Sequence, residues 1–289
     1  MNSFKEFKLD DLLWICHYGL PKKKISTEVL LSDLSLLETP VFFLSTGRCG
    51  THWFSKLISK DRTVKDFHSP YPNLSIQNKF MFSLWHQKTE HHQKIEIGSQ
   101  IFLAGREQHL RFAYKCQRRY FETNNHITFF APVISKIIPQ AKFIHLYRHP
   151  GEFVRSGIRR GWYEQNEQAN AKLITPPNDV NSWSKFSQIE KIGWLWNETN
   201  GFIEQFKQSV GPDRVFDVNI NQLNYTGIER LLDFINVSIS PGIIKRHLKS
   251  RVNVQKSGNF PEYKIWSDDQ KDELKKNCSV LSKKYGYQL

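Results

Sequence analysis

The stretch VFFLSTGRCGTHW, residues 41–53, decides the fold. Its apolar start, Val41–Leu44, predicts a buried strand, and the glycines that follow predict a tight turn into a helix. Such a turn points backbone N–H groups at one spot, and the partial positive charge of a helix N-terminus adds to them. Gly47 and Gly50 allow the backbone to approach an anion closely. The stretch therefore predicts a phosphate-binding loop, with an ordinary glycine turn of an α/β protein as the alternative.

The loop differs from the ATP-binding loop G-x-x-x-x-G-K-[ST], in which a lysine follows the second glycine. Here Thr51 follows Gly50, and the basic residue comes earlier, at Arg48. Arg48, Thr51 and His52 add side-chain donors to the backbone N–H groups. We therefore expect a nucleotide phosphate at this loop, but not ATP with magnesium.

Length and charge limit the classes of protein to consider. With 289 residues, of which 39% are hydrophobic, the chain suits a single α/β domain over residues 1–289. Residues 1–35 form a polar lead-in. The formal net charge of +13 favours anionic ligands. Nucleic acid is not expected as a partner, because the basic residues are spread along the chain and no helix-turn-helix or zinc-finger spacing is visible.

The cysteines and the apolar runs bear on metal binding and location. Cys16, Cys49, Cys116 and Cys278 form no C-x-x-C pair, so we expect free thiols and no metal. Cys49 is interpreted as a small residue that fills the turn, with a reactive thiol as the alternative. No apolar run reaches the length of about 18 residues that a membrane span needs. A cytoplasmic protein without a membrane span is expected.

The order of elements predicts a largely parallel sheet flanked by helices. Proline-containing, polar residues 165–182 are predicted to form a mobile loop, and a histidine-rich break over 88–94 is predicted between two helices. The predicted strands are 41–44, 64–67, 119–123, 142–147 and 215–218.

A second candidate anion site follows the strand that ends at Tyr147. Ligands of open α/β sheets collect at the carboxyl ends of the strands. Arg148 supplies a forked, permanently charged group there, and Ser156, eight residues later, supplies a hydroxyl. Taken alone, the pair has an alternative to anion binding: Arg148 could be a surface arginine and Ser156 a helical serine, neither with a role.

Together these segments resemble the cofactor segments of the sulfotransferase family. Residues 48–53 are similar to its 5′-phosphosulfate loop, and KFIHLYRHPGEFVRSG, residues 142–157, to its 3′-phosphate segment. RVNVQKSGNF, residues 251–260, is similar to a third, looser segment. The resemblance covers about residues 40 to 287. It implies the P-loop-like fold of small bacterial sulfotransferases and the cofactor 3′-phosphoadenosine 5′-phosphosulfate (PAPS), with adenosine 3′,5′-bisphosphate as the product.

The resemblance also implies roles for individual residues. Arg48 stands where many members have lysine, and would contact the transferring sulfuryl group and the leaving phosphate oxygen. Trp53 would stack on the adenine, with a buried helix-face tryptophan as the alternative. Arg148 and Ser156 would hold the 3′-phosphate. The expected cofactor-binding residues are Arg48, Cys49, Gly50, Thr51, His52, Trp53, Arg148, Ser156, Arg251 and Lys256.

A general base is expected, because the acceptor hydroxyl or amine loses a proton during transfer. His68 ends the second strand and suits a base near neutral pH. Glu122 ends the next strand and is the other candidate. Many bacterial relatives read His-Glu-Pro where this chain has His68-Ser69-Pro70, so the family's carboxylate is missing here. His126 is interpreted as a helix-start residue.

The leading hypothesis is transfer of a sulfuryl group from PAPS to a small-molecule, carbohydrate or lipid-like acceptor, without a required metal. A nucleotide kinase or another phosphotransferase is one alternative. A basic protein that binds nucleic acid or polysaccharide is the other. We expect the 165–182 loop and the aromatic helix with Trp183, Phe186, Trp194 and Trp196 to line the acceptor side, with core packing as the alternative for most of these aromatics. The sequence specifies neither the acceptor nor the oligomeric state.

Overall fold

A computed structural model describes residues 26–176, 180–250 and 258–289. Their strands form one five-stranded sheet in the order β2-β3-β1-β4-β5. Every pair of neighbouring strands is parallel, which confirms the predicted α/β fold with a central parallel sheet. The strands are β1 (Val41–Ser45), β2 (Val64–Phe67), β3 (Arg119–Glu122), β4 (Lys142–Tyr147) and β5 (Val215–Asn219).

Helices cover both faces of the sheet. They are α1 (Thr27–Leu31), α2 (Thr51–Ile58), α3 (Ser75–Trp85), α4 (His91–Lys115), α5 (Ala131–Ile137), α6 (Pro150–Ile158), α7 (Glu167–Asn170), α8 (Val180–Lys185), α9 (Gln188–Val210), α10 (Tyr225–Phe234), α11 (Pro241–Leu248) and α12 (Asp268–Lys284). Short 3₁₀ turns cover Leu34–Leu36, Asn125–Phe130, Pro212–Arg214, Ile220–Gln222 and Tyr263–Ile265.

Three segments differ from the sequence-based expectation. The polar lead-in contains α1. The histidine-rich break is shorter than predicted, because His91 and His92 already belong to the first turn of α4. Residues 165–182 contain α7 and the start of α8, and Ile174 between them is buried. Residues 177–179 lie outside the described part, and the mobility of this segment stays a prediction.

Alternation along β1 divides the core into two layers. Successive side chains of a strand point to opposite faces of the sheet. Phe42 and Leu44 therefore join the layer with Phe102 of α4. Val41 and Phe43 join the layer on the other face, which includes Phe54 of α2. All of β1 is buried, as expected for the central strand of a covered parallel sheet.

The strand order determines where a ligand site can form. The chain runs from β1 to one edge of the sheet, returns through β3, and then crosses to β4 on the other side of β1. The carboxyl ends of β1, β3 and β4 thus meet at a reversal of strand order, where open α/β sheets bind their ligands. The helices α2 and α6 begin there, directly after the turns that follow β1 and β4.

The C-terminal segment packs against α6 through a glycine. A Cβ atom on Gly151 would lie 2.2 Å from the ring of Tyr263, a distance that real side chains do not tolerate. Tyr263 also contacts the ring of His149, with ring centroids 4.6 Å apart. The turn after β4 and the segment before α12 therefore fit each other closely.

A buried ion pair joins α4 to β3. Arg106 and Glu122 are both fully buried, and Arg106 Nε lies 2.9 Å from each oxygen of the Glu122 carboxylate. Tyr120 Oη and Asn124 Nδ2 donate to the same carboxylate, at 2.7 and 3.0 Å. The negative charge of Glu122 is thus fully hydrogen-bonded inside the protein.

We predict that Arg106→Met lowers the free energy of unfolding by about 3–5 kcal/mol, because it leaves the Glu122 carboxylate buried without its cation. Urea denaturation measures this loss. Arg118→Met is the matched control, since Arg118 is an exposed arginine, and it should change stability by less than about 0.5 kcal/mol. Equal effects of the two substitutions would contradict the prediction.

Candidate active site

A cavity of about 1340 Å³ lies at the carboxyl ends of β1 and β4. The turn after β1 and the start of α2 form one wall, from Thr46 to Phe54. The opposite walls come from the β2 and β4 ends, α9 and segments near the C-terminus. The volume exceeds the roughly 300–1,000 Å³ typical of one small ligand. The cavity can therefore hold two molecules side by side.

The turn after β1 has the geometry of an anion cradle. Gly47, Arg48 and Gly50 all have positive φ, at 78°, 58° and 82°, so the backbone turns left-handed at all three residues. Gly50 is the N-cap of α2, and within the part of the chain that the structure describes no side chain caps the N–H groups of the first turn. These N–H groups are available to a ligand, and the helix N-terminus favours a negative one.

Three arginines reinforce this preference. Burial lowers the pKa of Arg48, and the nearby charge of Arg148 lowers it further. Burial likewise lowers the pKa of Arg160 to about 10, with contributions from Arg48, Arg159 and Arg148. The Nε atoms of Arg48 and Arg148 are buried without a hydrogen-bond partner among the described residues. An anion in the cavity would relieve the repulsion and supply the missing acceptors.

The backbone and side chain of Arg148 are both held in place. Its Nη1 donates to the Arg48 carbonyl oxygen at 3.0 Å, which ties the turn after β4 to the turn after β1. Its Nη2 forms an ion pair with Glu152 one turn into α6. Trp196 Nε1 of α9 donates to the Arg148 carbonyl oxygen at 3.0 Å. Arg148, the arginine of the second predicted anion site, is thus fixed beside the turn that follows β1.

Ser156 and Cys49 lie outside the cavity wall. Ser156 Oγ accepts a hydrogen bond of 3.0 Å from Arg160 Nη1, so it reaches the cluster through another arginine. Cys49 is fully buried, and its Sγ lies 3.2 Å from the Gly47 carbonyl oxygen. Burial raises the pKa of the Cys49 thiol, which disfavours the alternative of a reactive thiol. The thiol therefore fills the turn.

Trp53 lines the cavity beside a residue that sequence reasoning missed. Its ring contacts the His247 ring of α11, with centroids 4.3 Å apart at 45°. His247 Nε2 also lies 2.9 Å from the Trp53 carbonyl oxygen. The stacking of Trp53 on adenine stays a prediction.

Arg251 and Lys256, the two predicted residues of the third segment, lie outside the described residues.

His68 lines the cavity at the end of β2, directly beside the loop. Its ring stacks on His52, with centroids 4.8 Å apart at 28°. Its Nδ1 lies 2.8 Å from the carbonyl oxygen of Thr123, which can only accept. Nδ1 therefore carries the proton, and Nε2 has a lone pair with no hydrogen-bond partner in the described ranges. Partial burial lowers the pKa of His68, so the neutral ring persists below the ordinary range of histidine.

Glu122, the other candidate, and the nearby His126 fit the role of a base less well. Glu122 is a correction to the sequence-based prediction: it points away from the cavity, and the ion pair with Arg106 and two further donors occupy its carboxylate. His126 lines the cavity from a 3₁₀ turn, but burial lowers its pKa to about 4, with the charge of Lys172 adding to the shift. A base with so low a pKa has little driving force for proton abstraction.

The remaining cavity wall is mixed in character. None of Trp183, Phe186, Trp194 and Trp196 lines it, which corrects the expectation that these aromatics face the acceptor. They belong to the core or to its edge, where Trp196 is fully buried. The apolar wall comes instead from Phe129, Trp162, Leu173, Ile174 and Leu195, and the polar wall includes Asn78, Lys172 and Thr199. Lys172, Leu173 and Ile174 belong to the 165–182 segment that was expected on the acceptor side. No local motif marks the other residues of this wall, so sequence reasoning missed them.

A separate polar cluster lies behind β4. One ligand atom each of His145, Glu204 and Asp217 falls within 4.8 Å of the others. Lys207 Nζ already bridges the two carboxylates, at 2.9 Å from Glu204 and 2.6 Å from Asp217. Lys284 forms a further ion pair with Glu204. These lysines neutralise the carboxylates. The cluster is therefore interpreted as a set of ion pairs that joins β4, β5, α9 and α12.

Among the helices of the described residues, none combines the length and the apolar character that crossing a bilayer requires.

Comparison with known proteins agrees with this geometry. A model of the sulfotransferase family matches residues 40–241, more than half of the chain. A comparison with curated proteins gave no match. The sulfotransferase domain from the curacin biosynthetic pathway is similar in structure, with a TM-score of 0.51 at 14% identity, covering 89% of this chain and all (100%) of that one.

Two further solved structures have the same degree of likeness. The sulfotransferase domain from the Synechococcus PCC 7002 olefin synthase has a TM-score of 0.51 at 15% identity, covering 88% of this chain and 96% of that one. Sulfotransferase STF9 from Mycobacterium avium has a TM-score of 0.51 at 13% identity, covering 96% of this chain and 82% of that one. At such identities the structural likeness supports the fold alone.

We predict that iodoacetamide at pH 8 modifies Cys116 in the folded protein but spares Cys49 and Cys278. Cys116 is exposed, whereas the other two are buried and burial raises the pKa of each thiol. Peptide mass spectrometry measures the modification, with the urea-unfolded protein as the control in which all three react. Modification of Cys49 at the rate of Cys116 would contradict its burial in the turn.

Proposed function

Because the chain belongs to the sulfotransferase family, we propose that it transfers the sulfuryl group of PAPS to a hydroxyl or amine of a second molecule. The observation that carries the proposal is the joining of two anion sites. The Arg48 loop and Arg148 are linked by a hydrogen bond of 3.0 Å, so two phosphates of one nucleotide can be held together. A cytoplasmic location, consistent with the free cysteines, is part of the proposal.

The residues of the cavity fit the donor. The uncapped N–H groups of α2, with Thr51 and His52, would hold the 5′-phosphate. Arg148 would hold the 3′-phosphate, with Ser156 contributing through Arg160. The buried, unpartnered Nε atoms of Arg48 and Arg148 are the donors that such a ligand would satisfy. When bound, PAPS supplies an activated sulfuryl group.

The residues of this chain then have two tasks. His68 Nε2 takes the proton from the acceptor, while its Nδ1–H stays on the Thr123 carbonyl oxygen. Arg48 stabilises the negative charge that grows on the leaving phosphate oxygen. Arginine supplies that charge as lysine does, but it cannot give up a proton at neutral pH. Catalysis in this chain is therefore assigned to positive charge and positioning at the donor side.

The acceptor is proposed to enter beside the apolar wall. Phe129, Trp162 and Leu195 offer a surface for a ring or an alkyl chain, and Thr199 and Lys172 offer polar contacts at its edge. The mixed wall suits a small molecule, a carbohydrate or a lipid-like acceptor. We propose that the acceptor is such a molecule and not a nucleic acid.

A nucleotide kinase fits the cavity less well. Magnesium in kinases is held by carboxylates beside the phosphates. The carboxylates that line the cavity, within the described ranges, are Glu152 and Glu262. Glu152 is paired with Arg148, and Glu262 with Lys264 at 3.3 Å. Neither offers a free ligand for a metal at the phosphate loop.

We predict that adenosine 3′,5′-bisphosphate raises the melting temperature of the protein, whereas AMP, or ATP with magnesium, raises it little. At a ligand concentration of 100 times Kd, the expected stabilisation is about 2.7 kcal/mol. Differential scanning fluorimetry measures the shift. Arg148→Gln is the matched variant, and it should reduce the response to the bisphosphate toward that of AMP. An equal rise in melting temperature with all three nucleotides would contradict the proposal.

We predict that His68→Ala lowers kcat for transfer from PAPS by about 10²–10⁴-fold, because the acceptor proton loses its base. The affinity for adenosine 3′,5′-bisphosphate should stay unchanged, which isothermal titration calorimetry measures. His92→Ala is the control, since His92 is exposed on α4 and does not line the cavity. If His68→Ala keeps full activity, another group is the base.

A further inference from the structure

The apolar wall of the cavity is interrupted by polar atoms that have no hydrogen-bond partner among the described residues. Three lining side chains carry such atoms: Asn78 of α3, His126 of the 3₁₀ turn after β3, and Thr199 of α9. The proposed transfer uses none of them as the base or as a ligand of PAPS. Polar groups that are withdrawn from water without a partner cost free energy, so such atoms in a cavity wall indicate a ligand.

The amide of Asn78 has a fixed orientation. The Phe129 N–H donates to Asn78 Oδ1 at 2.9 Å, and a backbone N–H can only donate. The other end of the amide, Nδ2, therefore carries the N–H groups, and no acceptor for them is found among the described residues. Because Asn78 is buried and lines the cavity, its Nδ2 is a donor for a molecule that occupies the cavity.

His126 adds a buried ring nitrogen to the same wall. Its Nδ1 has no hydrogen-bond partner in the described ranges. Burial lowers the pKa of His126 to about 4, with the charge of Lys172 adding to the shift, so the ring is neutral at neutral pH. One nitrogen of a neutral imidazole donates and the other accepts. A hydroxyl group can satisfy Nδ1 in either state, because it both donates and accepts.

The contacts of Phe129 bring the three side chains together. His126 and Phe129 are three residues apart in a 3₁₀ turn, a spacing at which side chains lie above each other. Asn78 binds the backbone of Phe129, and the Phe129 ring contacts Phe202, with centroids 4.9 Å apart. Phe202 follows Thr199 by three residues on α9, so both lie on one face of that helix. Thr199 is buried, and its hydroxyl has no partner among the described residues.

The charges of the cavity wall disfavour a positively charged acceptor. Lys172 lies beside His126, whose pKa its charge lowers. The lining carboxylates of the described residues, Glu152 and Glu262, are both paired with basic side chains. An ammonium group at this wall would therefore lie near a like charge without a carboxylate to offset it. It also has only donors, so it could not accept from Asn78 Nδ2.

The hydroxyl that is sulfated cannot also satisfy these three side chains. Its proton goes to His68 Nε2 and one lone pair attacks the sulfur, which leaves one lone pair of the oxygen for other contacts. Three further hydrogen bonds exceed that capacity. A separate hydroxyl, with one proton and two lone pairs, has the capacity for all three.

We propose that Asn78, His126 and Thr199 form a subsite for a hydroxyl group of the acceptor other than the one that is sulfated. Phe129 and Leu195 beside them hold the carbon frame of the same molecule. The acceptor class is therefore an alcohol with at least two hydroxyl groups, an apolar part and no positive charge. Sulfation of such a molecule rests on the proposed function, whereas the subsite is a property of the cavity wall.

Binding of two matched probes tests the subsite without nucleotide. Octyl β-D-glucoside has an apolar chain and several hydroxyl groups, and octylamine has the same chain with a positive charge and no hydroxyl. We expect the glucoside, kept below its micelle concentration, to bind the native protein about tenfold more tightly than octylamine, since it alone can satisfy the three side chains. Saturation-transfer NMR titrations measure both Kd values. No binding of the glucoside, or equal binding of octylamine, would overturn the proposal.

Substitutions assign the binding to the subsite. Asn78→Asp keeps an oxygen for the Phe129 N–H but replaces the donor with a negative acceptor, so it should weaken glucoside binding about 3–10-fold and strengthen octylamine binding. Thr199→Val removes only the hydroxyl and should weaken glucoside binding about 3–10-fold. Thr226→Val is the matched control, because Thr226 is exposed on α10 and does not line the cavity. It should leave both Kd values unchanged.

The two test substitutions lie on different helices, so a folding defect in one variant, detected by its melting temperature, leaves the other as a test. An unchanged glucoside Kd in the folded variants would overturn the subsite, even if the protein transfers sulfuryl groups from PAPS. If the substitutions weaken glucoside binding as expected but no transfer from PAPS is found for any acceptor, the subsite stands and the proposed function fails.

Discussion

Positive charge gathered at the carboxyl end of β1 is the constraint on which the other features depend. Burial lowers the pKa of Arg48, the nearby charge of Arg148 lowers it further, and the uncapped N-terminus of α2 adds a partial charge of the same sign. Such a cluster opposes folding unless rigid surroundings hold it. The fully buried β1 and the hydrogen bond from Trp196 to the Arg148 carbonyl provide that support. The positive charge is thus arranged before any anionic ligand arrives.

The alternation of strand side chains assigns neighbouring residues to different tasks. Tyr120 and Glu122 of β3 point to the α4 face, where Arg106 completes a buried ion pair. Thr123, the next residue, points to the α2 face with Asp66 and His68. Residues at the end of β3 therefore contact the buried ion pair on one face of the sheet and the candidate base on the other. A shift of register by one residue would exchange both.

Sequence reasoning succeeded where the signal was local. The strands Val64–Phe67 and Lys142–Tyr147 were predicted to the residue, because apolar runs and turn residues bound them. Glu122 was wrong as a base because its partner Arg106 lies 16 residues earlier, in a helix whose orientation no motif reveals. His247 was missed because it reaches Trp53 across 194 residues of chain. Contacts between distant segments follow from packing, which a single sequence does not display.

The contact between Gly151 and Tyr263 has a consequence for engineering. With 2.2 Å between a Cβ at position 151 and the Tyr263 ring, residues 148–158 can be exchanged for a segment with a side chain at position 151 only if Tyr263 is exchanged too. Chimeras that replace only residues 148–158 with such a segment would therefore meet a steric clash at the turn after β4, however well their binding residues matched. Residues 148–158 and 258–265 form a single module for recombination, although about a hundred residues separate them in the chain.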